Sequence, residues 1–583
     1  MSVEQTSMNQ LITDNIDVWT STVKTKSASG RGSSKKRDLY GVKKLRELIL
    51  ELAVRGKLVP QDPTDEPASI LLERIAEEKA QLVKDKKIKK PKMLPDMEDQ
   101  KPFLIPSNWS WSQLGFLTNY GVCDKAEPTS VSDDTWVLEL EDVEKITSTL
   151  LKKVRFSDRA FKSSKNQFQP EDVIYGKLRP YLDKVLIADE YGVCTTEMIP
   201  VRAYRDLTPG YLRLVMKSPY FINYANDSTH GMNLPRMGTD KARAALFPLA
   251  PLFEQHRIVA KVDELMTLCD QLEQQTEASI EAHQVLVTTL LDTLINSADA
   301  DELMQNWARI SEHFDTLFTT EESIDQLKQS ILQLAVMGKL VPQDPNDEPA
   351  TKLLERIAEE KAQLIKEKKI KKQKALPPIA DGEKPFELPN GWEWCRFNDA
   401  IDVRDGTHDS PKDATGPNTY PLITSKNFIN GKIDFDNARQ ISSDDHFEII
   451  KRSQVDKLDI LFSMIGGNIG NQVIVEDERD FSIKNVALFK YYGVGYTYPY
   501  FVFLYTQNLA KDLQTKAIGG AQPFISLGAL RNLLFALPPR EEQEKIVTKA
   551  TELIALCDQL KGQIKESQTT QLHLTDAIVE QAV

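Results

Sequence analysis

The chain is 583 residues long, 41% hydrophobic and 27% charged, with a formal net charge of −13 at pH 7. That length accommodates several domains with buried cores, and the composition is that of an ordinary globular protein. It excludes a uniformly basic coat for nucleic acid but not a local basic groove, because fields are screened beyond about 10 Å.

No run of about 18 apolar residues occurs, so no membrane span is expected. The first residues lack a basic-then-apolar signal pattern. Cys123, Cys194, Cys269, Cys395 and Cys557 are scattered without a CxxC pair, and the seven histidines do not cluster. That fits a reducing cytoplasm and argues against structural zinc.

In chain order, residues 1–41 form an N-terminal arm and linker. Leu11, Ile12, Ile16 and Trp19 give a short helical pattern. The segment from Ile12 to Trp19 lines up with that from Ile310 to Leu317, as a degenerate upstream extension of a repeat. Residues 21–37 are rich in Ser, Gly and Lys and read as a flexible tether. Its Lys24, Lys26, Arg31, Lys35, Lys36 and Arg37 are either solvated or in contact with phosphate.

Residues 42–100 are the first copy of a helical repeat, and 324–383 are the second. The stretches 52–90 and 334–372 are identical at roughly five positions in six, which marks one module used twice. Val42, Leu45, Leu48, Ile49 and Leu52 recur at helical spacing. Gly56 is placed to end that helix, and Pro60, Pro63 and Pro67 stop it resuming. Ser69 is the expected cap of the next helix. That helix runs through Leu72, Ile75, Leu82 and Val83 into a basic run at 84–92, matched by 366–374. These runs are either solvated helix tails or phosphate contacts.

Residues 101–252 differ in kind. They open on Pro106-Ser-Asn-Trp-Ser-Trp111. Short strand-like runs follow at 135–140, 172–175, 184–188 and 198–203, with a helix expected at 209–217. This is a mixed domain of ordinary size. Residues 253–323 hold a long helix and a connector; Ile258, Val262, Leu265, Cys269 and Leu272 step 4-3-4-3, the seam of a coiled coil. A second mixed domain occupies 384–540. It opens on Pro389-Asn-Gly-Trp-Glu-Trp394 and closes on Phe535-Ala-Leu-Pro-Pro539, as the first closes on Phe247-Pro-Leu-Ala-Pro251. Residues 541–583 form a second long helix with the seam Ile546, Ala550, Leu553, Cys557, Leu560. The frames of the two halves match and their interiors share little. The expected fold is α+β: two mixed domains separated by long coiled-coil helices, with pseudo-two-fold repetition.

Signatures of catalysis are missing. Gly466-Gly-Asn-Ile-Gly470 lacks the Lys-Ser/Thr of a phosphate loop, and no GxSxG or HExxH occurs. No Asn/Asp-Pro-Pro-aromatic tetrapeptide is present. Pro95-Asp96 with Glu98-Asp-Gln-Lys101 faintly suggests a nuclease carboxylate set, but the second copy breaks it and the segment reads as a linker. Cys269 and Cys557 read as small core residues. The pairs Trp109/Trp111 and Trp392/Trp394 alternate at strand spacing and read as core anchors rather than base-stacking platforms.

The better candidates for contact lie on loops that end strands. In the first domain these are Lys177, Arg179 and Tyr181, with Asn233 and Arg236 on a second loop. In the second domain they are Ser463, Gly466, Asn468 and Asn471, with Gln522 on a second loop. Arg and Lys suit guanine edges or phosphate, Asn and Gln suit adenine, and glycine lets backbone approach a ligand. Exposed turn residues with no ligand are the alternative for each. Pro235 and Pro523 hold equivalent places.

Two unlike domains between near-identical repeats resemble the specificity subunits of Type I restriction–modification enzymes. So do the Pro-Ser-Asn-Trp-Ser-Trp, Pro-Asn-Gly-Trp-Glu-Trp, Pro-Leu-Phe-Glu-Gln-His-Arg-Ile and Pro-Arg-Glu-Glu-Gln-Glu-Lys-Ile motifs. Leu-Ala-Val-x-Gly-Lys-Leu-Val-Pro-Gln is similar to the subgroup with an extended N-terminal repeat. The resemblance implies a non-catalytic subunit whose two target-recognition domains each read one half of a bipartite site on double-stranded DNA, with antiparallel coiled-coil helices between them that set the gap. It implies two methyltransferase (modification) subunits and restriction/translocase subunits as partners. Those partners would use S-adenosylmethionine, ATP and Mg, with no cofactor or metal on this chain. It also implies a cytoplasmic, nucleoid-associated setting. A self-contained methyltransferase or nuclease, and a coiled-coil scaffold that ignores DNA, are the rival classes.

Overall fold

A computed structural model describes residues 8–26, 36–97, 101–231, 233–298, 300–517 and 523–583. It divides into two units, Met1–Ile280 with Ser567–Val583, and Glu281–Glu566.

In the first unit the arm forms helices Met8–Asp14 and Ile16–Ser21. The described ends of the expected tether pair as antiparallel strands Lys24–Lys26 and Lys36–Asp38. Residues 27–35 lie outside the described residues. Helix Tyr40–Val54 buries Val42, Leu45, Leu48, Ile49 and Leu52, the stripe its spacing predicts. Gly56 ends it at φ +69°, with the Lys57 N–H donating to the Leu52 carbonyl (2.9 Å), a left-handed terminus that glycine adopts without strain. The same glycine permits a close approach. A Cβ there would lie 2.5 Å from Pro106 Cγ and 3.1 Å from Trp109 Cζ2.

The next helix is Ala68–Lys84, and its N-cap is Pro67 rather than Ser69. No side chain caps it; instead the Ala68 N–H donates to the Asn108 carbonyl (2.9 Å), so the mixed domain's opening motif supplies the acceptor. The helix stops at Lys84, and Lys86 turns left-handed at φ 57°. The exposed basic run therefore lies past the helix and is not its tail. Buried Lys79 donates to the carbonyls of Gly115 and Phe116 (3.3 and 2.7 Å), and burial pushes its ammonium down to about 8.

Strand Ser110–Gln113 pairs antiparallel with Leu246–Leu249, so the domain's first and last strands close on each other. Between them lie a four-stranded sheet and a three-stranded one. The expected strands appear as Trp136–Leu138, Val173–Gly176, Val185–Ile187 and Met198–Val201. Helix Pro209–Lys217 is where the pattern put it, and a second helix, Pro219–Asp227, follows after Ser218 caps its start.

Leu252–Ile295 is one helix. Ile258, Val262, Leu265 and Cys269 are buried in the first unit's core, as the seam predicts. Arg46 of the repeat reaches its Asp270 and Glu273 (2.7 and 2.8 Å). The end of the last helix, Arg540–Ala582, belongs to the same core through Ile578 and Val579. Tyr40 donates to Asp576 (2.7 Å), and the Lys57 ammonium donates to the Val583 carbonyl just past that helix.

The second unit repeats these devices. Its upstream helices, Ala300–Glu312 and Phe314–Leu317, break at His313 with φ −114° and ψ 20°. The arm breaks at Asn15 with −118° and 22°, as the proposed alignment of the two segments requires. Helix Glu321–Val336 ends at Gly338 (φ +71°), where a Cβ would lie 2.5 Å from Pro389 Cγ. Helix Ala350–Lys366 again has proline, Pro349, at its cap, and the Ala350 N–H donates to the Gly391 carbonyl (2.8 Å). Lys339 caps the carbonyls of Ile295 and Ser297 (2.9 Å each), the counterpart of Lys57. Strands Glu393–Arg396 and Leu534–Leu537 close the second mixed domain. Where the first domain has two helices split by Pro219, the second has one, Pro499–Lys516. Among the described residues no helix is long and apolar enough to cross a membrane.

Trp109, Trp111, Trp392 and Trp394 of the two opening motifs are anchors, all buried. Trp109 donates its indole N–H to Glu254 Oε2 (3.0 Å), and Gln61 donates to Glu254 Oε1 (2.6 Å). In the second unit Trp392 donates to Glu542 Oε2 (3.0 Å) and Gln343 to Oε1 (3.1 Å). Each buried carboxylate thus joins repeat, mixed domain and long helix. Burial raises both carboxyls above their ordinary range, and the hydrogen bonds they accept oppose that shift. The Glu-Gln pairs of the Pro-Leu-Phe-Glu-Gln-His-Arg-Ile and Pro-Arg-Glu-Glu-Gln-Glu-Lys-Ile motifs have structural tasks. Gln255 accepts from the Thr208 N–H (2.9 Å) and Gln543 from the Tyr498 N–H (2.7 Å), each just before a helix of its mixed domain.

Candidate nucleic-acid interface

Pattern alone separates each domain's candidates onto two loops, and the fold joins them. In the first domain, Val173–Gly176 runs antiparallel to Met198–Val201 with Gly176 opposite Met198. The chain leaving Gly176 then meets the second loop. Leu178 bridges to Arg236, the Arg179 N–H donates to the Pro235 carbonyl (2.7 Å), and the Met237 N–H donates to the Lys177 carbonyl (3.1 Å). The Arg179 guanidinium also reaches the Asn233 carbonyl (3.4 Å). Lys177, Arg179, Tyr181, Asn233 and Arg236 therefore share one surface.

Their freedom differs. Tyr181 is 51% exposed, and Asn233 is exposed. Arg236 donates to both oxygens of Glu197 (3.2 and 3.0 Å), so it is an ion-paired residue rather than a free cation. Arg179 sits at φ 52°, a left-handed conformation that costs a side-chain-bearing residue roughly 1–2 kcal/mol. Its Nε is buried with no hydrogen-bond partner among the described residues. The turn Pro180–Leu182 that follows is fixed from below. Lys217 donates to Asp183 Oδ2 (2.6 Å), Ser148 Oγ (2.7 Å) and the Ile146 carbonyl (2.9 Å). Burial drives the Asp183 carboxyl up to about 6, and Lys217 opposes that shift.

In the second domain the sheet runs in the order Ile401–Asp405, Val486–Tyr491, Ile460–Ser463, Gln472–Ile474. Asp405 lies opposite Ala487, Ser463 opposite Val486 and Phe462 opposite Gln472. The segments 406–413, 464–471 and 484–485 therefore emerge at one end of the sheet. Ile465 bridges to Phe524, the Gly466 N–H donates to the Pro523 carbonyl (2.7 Å), and the Ile525 N–H donates to the Met464 carbonyl (2.9 Å). These are the three contacts of the first domain, in the same order. Gly466, at φ +73°, stands where Arg179 stands, and Phe524 where Arg236 does.

Asn468 and Asn471 are exposed on this loop, and Asn471 makes a long contact to the Phe428 carbonyl (3.5 Å). Ser463 is fully buried, so its hydroxyl does not reach the surface; it is the last residue of the strand and faces the interior. Gln522 lies outside the described residues. Gly470 is a packing glycine, since a Cβ there would lie 2.7 Å from Ala510 Cβ.

Sequence reasoning missed three features at these sheet ends. Phe524 follows a proline that was singled out, but an isolated Phe reads as core; it is 47% exposed. Glu197 precedes a strand and gives no pattern. His408 is held by Asp405 Oδ2 (3.0 Å) and Asn485 Oδ1 (3.1 Å), a contact across 77 residues of chain. Among the described residues no group of His, Cys, Asp or Glu has the arrangement of a metal site, and the five cysteines are free.

A family model described as Type I restriction modification DNA specificity domain matches residues 389–567. The Type I restriction enzyme EcoAI specificity subunit of Escherichia coli is 44% identical over 598 residues, spanning 99% of this chain and 100% of that one. The EcoEI specificity subunit of the same organism is 41% identical over 606 residues, with 99% and 100% covered. A solved chain from a study of complex assembly and conformational transition of the type I R-M system has the same fold at 19% identity. It has a TM-score of 0.51 and covers 82% of this chain and 99% of that one.

Proposed function

The chain belongs to the specificity subunits of Type I restriction enzymes, and on that premise we propose that each mixed domain reads one half of a bipartite DNA site. The observation that carries this reading is the recurrence of one loop junction with different side chains. Three backbone contacts are kept, while Arg179 and Arg236 give way to Gly466 and Phe524. A shared frame with unlike tips is what two readers of different sequences need. Lys177, Arg179, Tyr181, Asn233 and Arg236 serve the first half-site; Gly466, Asn468, Asn471 and Gln522 serve the second.

The helices Leu252–Ile295 and Arg540–Ala582 set the gap. At 1.5 Å per residue each is roughly 65 Å long, and half-sites on one face of B-DNA lie about 34 Å apart. The two repeat copies are near-identical because each docks the same kind of partner, so two methyltransferase subunits bind. Those subunits supply S-adenosylmethionine and methylate adenine, with the target base flipped from the duplex. Restriction subunits supply ATP- and Mg-dependent translocation and cleavage. This chain contributes recognition and no catalysis, and acts on DNA in the cytoplasm.

Mapping methylated adenines in cells that carry the complete system tests the reading. A single motif of two short specified blocks around a fixed gap supports it. Transfer of a labelled methyl group by the purified chain alone would overturn the non-catalytic assignment, and indifference of the assembled complex to DNA sequence would favour a scaffold.

A further inference from the structure

We infer that Phe524 is a specificity-determining residue of the second domain and contacts the 5-methyl group of a thymine in the half-site that domain reads. The inference rests on the half-site reading above.

The junction contacts fix the correspondence. Leu178 opposite Arg236 becomes Ile465 opposite Phe524, with the flanking hydrogen bonds kept at 2.7 Å and at 3.1 against 2.9 Å. The backbone position that carries a guanidinium in one domain thus carries a phenyl ring in the other. The second cation of the first junction, Arg179, is replaced by Gly466. No cation stands at either position in the second domain. Guanine edges and phosphates, which arginine suits, are poor matches there, whereas an aromatic side chain in a major groove fits the thymine methyl.

The surroundings leave room for such a contact. Phe524 is 47% exposed although the preceding Pro523 and the following Ile525 are both held to the neighbouring loop. Next to it, a Cβ added at Gly466 or Gly467 would meet nothing within 4 Å. Open space therefore lies beside an unburied ring, at the sheet end where exposed Asn468 and Asn471 supply hydrogen-bonding groups. Burying the free half of a phenylalanine should strengthen binding by about tenfold.

The test uses the full chain assembled with its modification subunits. Each thymine of the second half-site, on either strand, is replaced in turn by deoxyuridine, which removes only the methyl group. One replacement is expected to weaken wild-type binding several-fold. Phe524→Ala should weaken binding to the unmodified site by about tenfold and abolish the effect of that replacement. Phe524→Leu, which stays apolar, should retain part of it. An unchanged melting temperature shows that each variant is folded. The inference is overturned if deoxyuridine weakens wild type and Phe524→Ala equally, or if Phe524→Ala binds as wild type. Lys177→Ala and Arg179→Ala separate the two levels. If they change the first half-site while Phe524→Ala changes nothing, only this inference fails; if no substitution at either junction affects any half-site, the half-site reading itself fails.

Discussion

Glu254 and Glu542 offer the sharpest test of how the repeats hold the mixed domains. Each carboxylate is buried and accepts an indole N–H and a glutamine amide from two other segments. Hydrogen bonds to a charged group contribute about 1.5–3 kcal/mol each, and a buried donor left unmet costs about 1–3 kcal/mol. Trp109 is buried, so its N–H finds no water in Glu254→Ala, whereas the exposed Gln61 amide regains solvent. The net loss is about 3 kcal/mol for the first unit, and the same reasoning holds for Glu542→Ala in the second. Glu254→Gln keeps one acceptor but sets an amide donor against a donor, so about half that loss is expected. For a unit of this size, 3 kcal/mol lowers the melting temperature by roughly 6–12 °C. Calorimetry with amide exchange resolved along the chain should show loosened protection around Trp109 in Glu254→Ala and around Trp392 in Glu542→Ala. Alanine variants within about 0.5 kcal/mol of wild type, the scatter of ordinary surface substitutions, would refute the assignment of these carboxylates as three-way joints.

Gly56→Ala and Gly338→Ala should each destabilise by more than the roughly 1–2 kcal/mol of a left-handed alanine, because the new methyl meets Pro106 or Pro389 at 2.5 Å; urea unfolding checks this. Asp183 and Asp459 have carboxyls that burial raises from 3.8 to about 6. Between those values the folded chain holds protons that the unfolded chain has released, so their contribution is present below about pH 3.8 and is lost as pH rises through about 6. Wild type should therefore gain on Asp459→Asn as pH falls from 7 to 4, and parallel stability curves would contradict this. Lys57→Ala and Lys339→Ala remove caps on helix-terminal carbonyls and should cost about 0.5–1 kcal/mol each, with faster amide exchange in the last turn of the capped helix.

Much of this fold is legible because it is local. The helix stripe at Val42–Leu52, the terminating Gly56 and the strand runs of the first domain follow from periodicity and turn chemistry. Ser69 was misjudged because its cap is replaced by a distant carbonyl, that of Asn108, which no local pattern encodes. Similarly, the tether's ends read as loose because a short two-strand pairing leaves no trace in composition. The candidate surface was half legible. Strand-ending loops with Lys, Arg, Asn and Gly were identifiable, and so was the equivalence of Pro235 and Pro523. Which loops meet was not, since sheet order decides that, and neither were the burial of Ser463 and the exposure of Phe524. Arg236 was recognised by type, but its engagement by Glu197 depends on a partner 39 residues away.

The central claim is that the two mixed domains read separate half-sites and the helices only space them. Exchanging residues 101–251 for the corresponding domain of a relative with a different target, then mapping methylated adenines in cells, tests it most directly. A motif in which one half changes while the other half and the gap stay fixed is the predicted result. A motif unchanged in both halves, or changed in both, would contradict it.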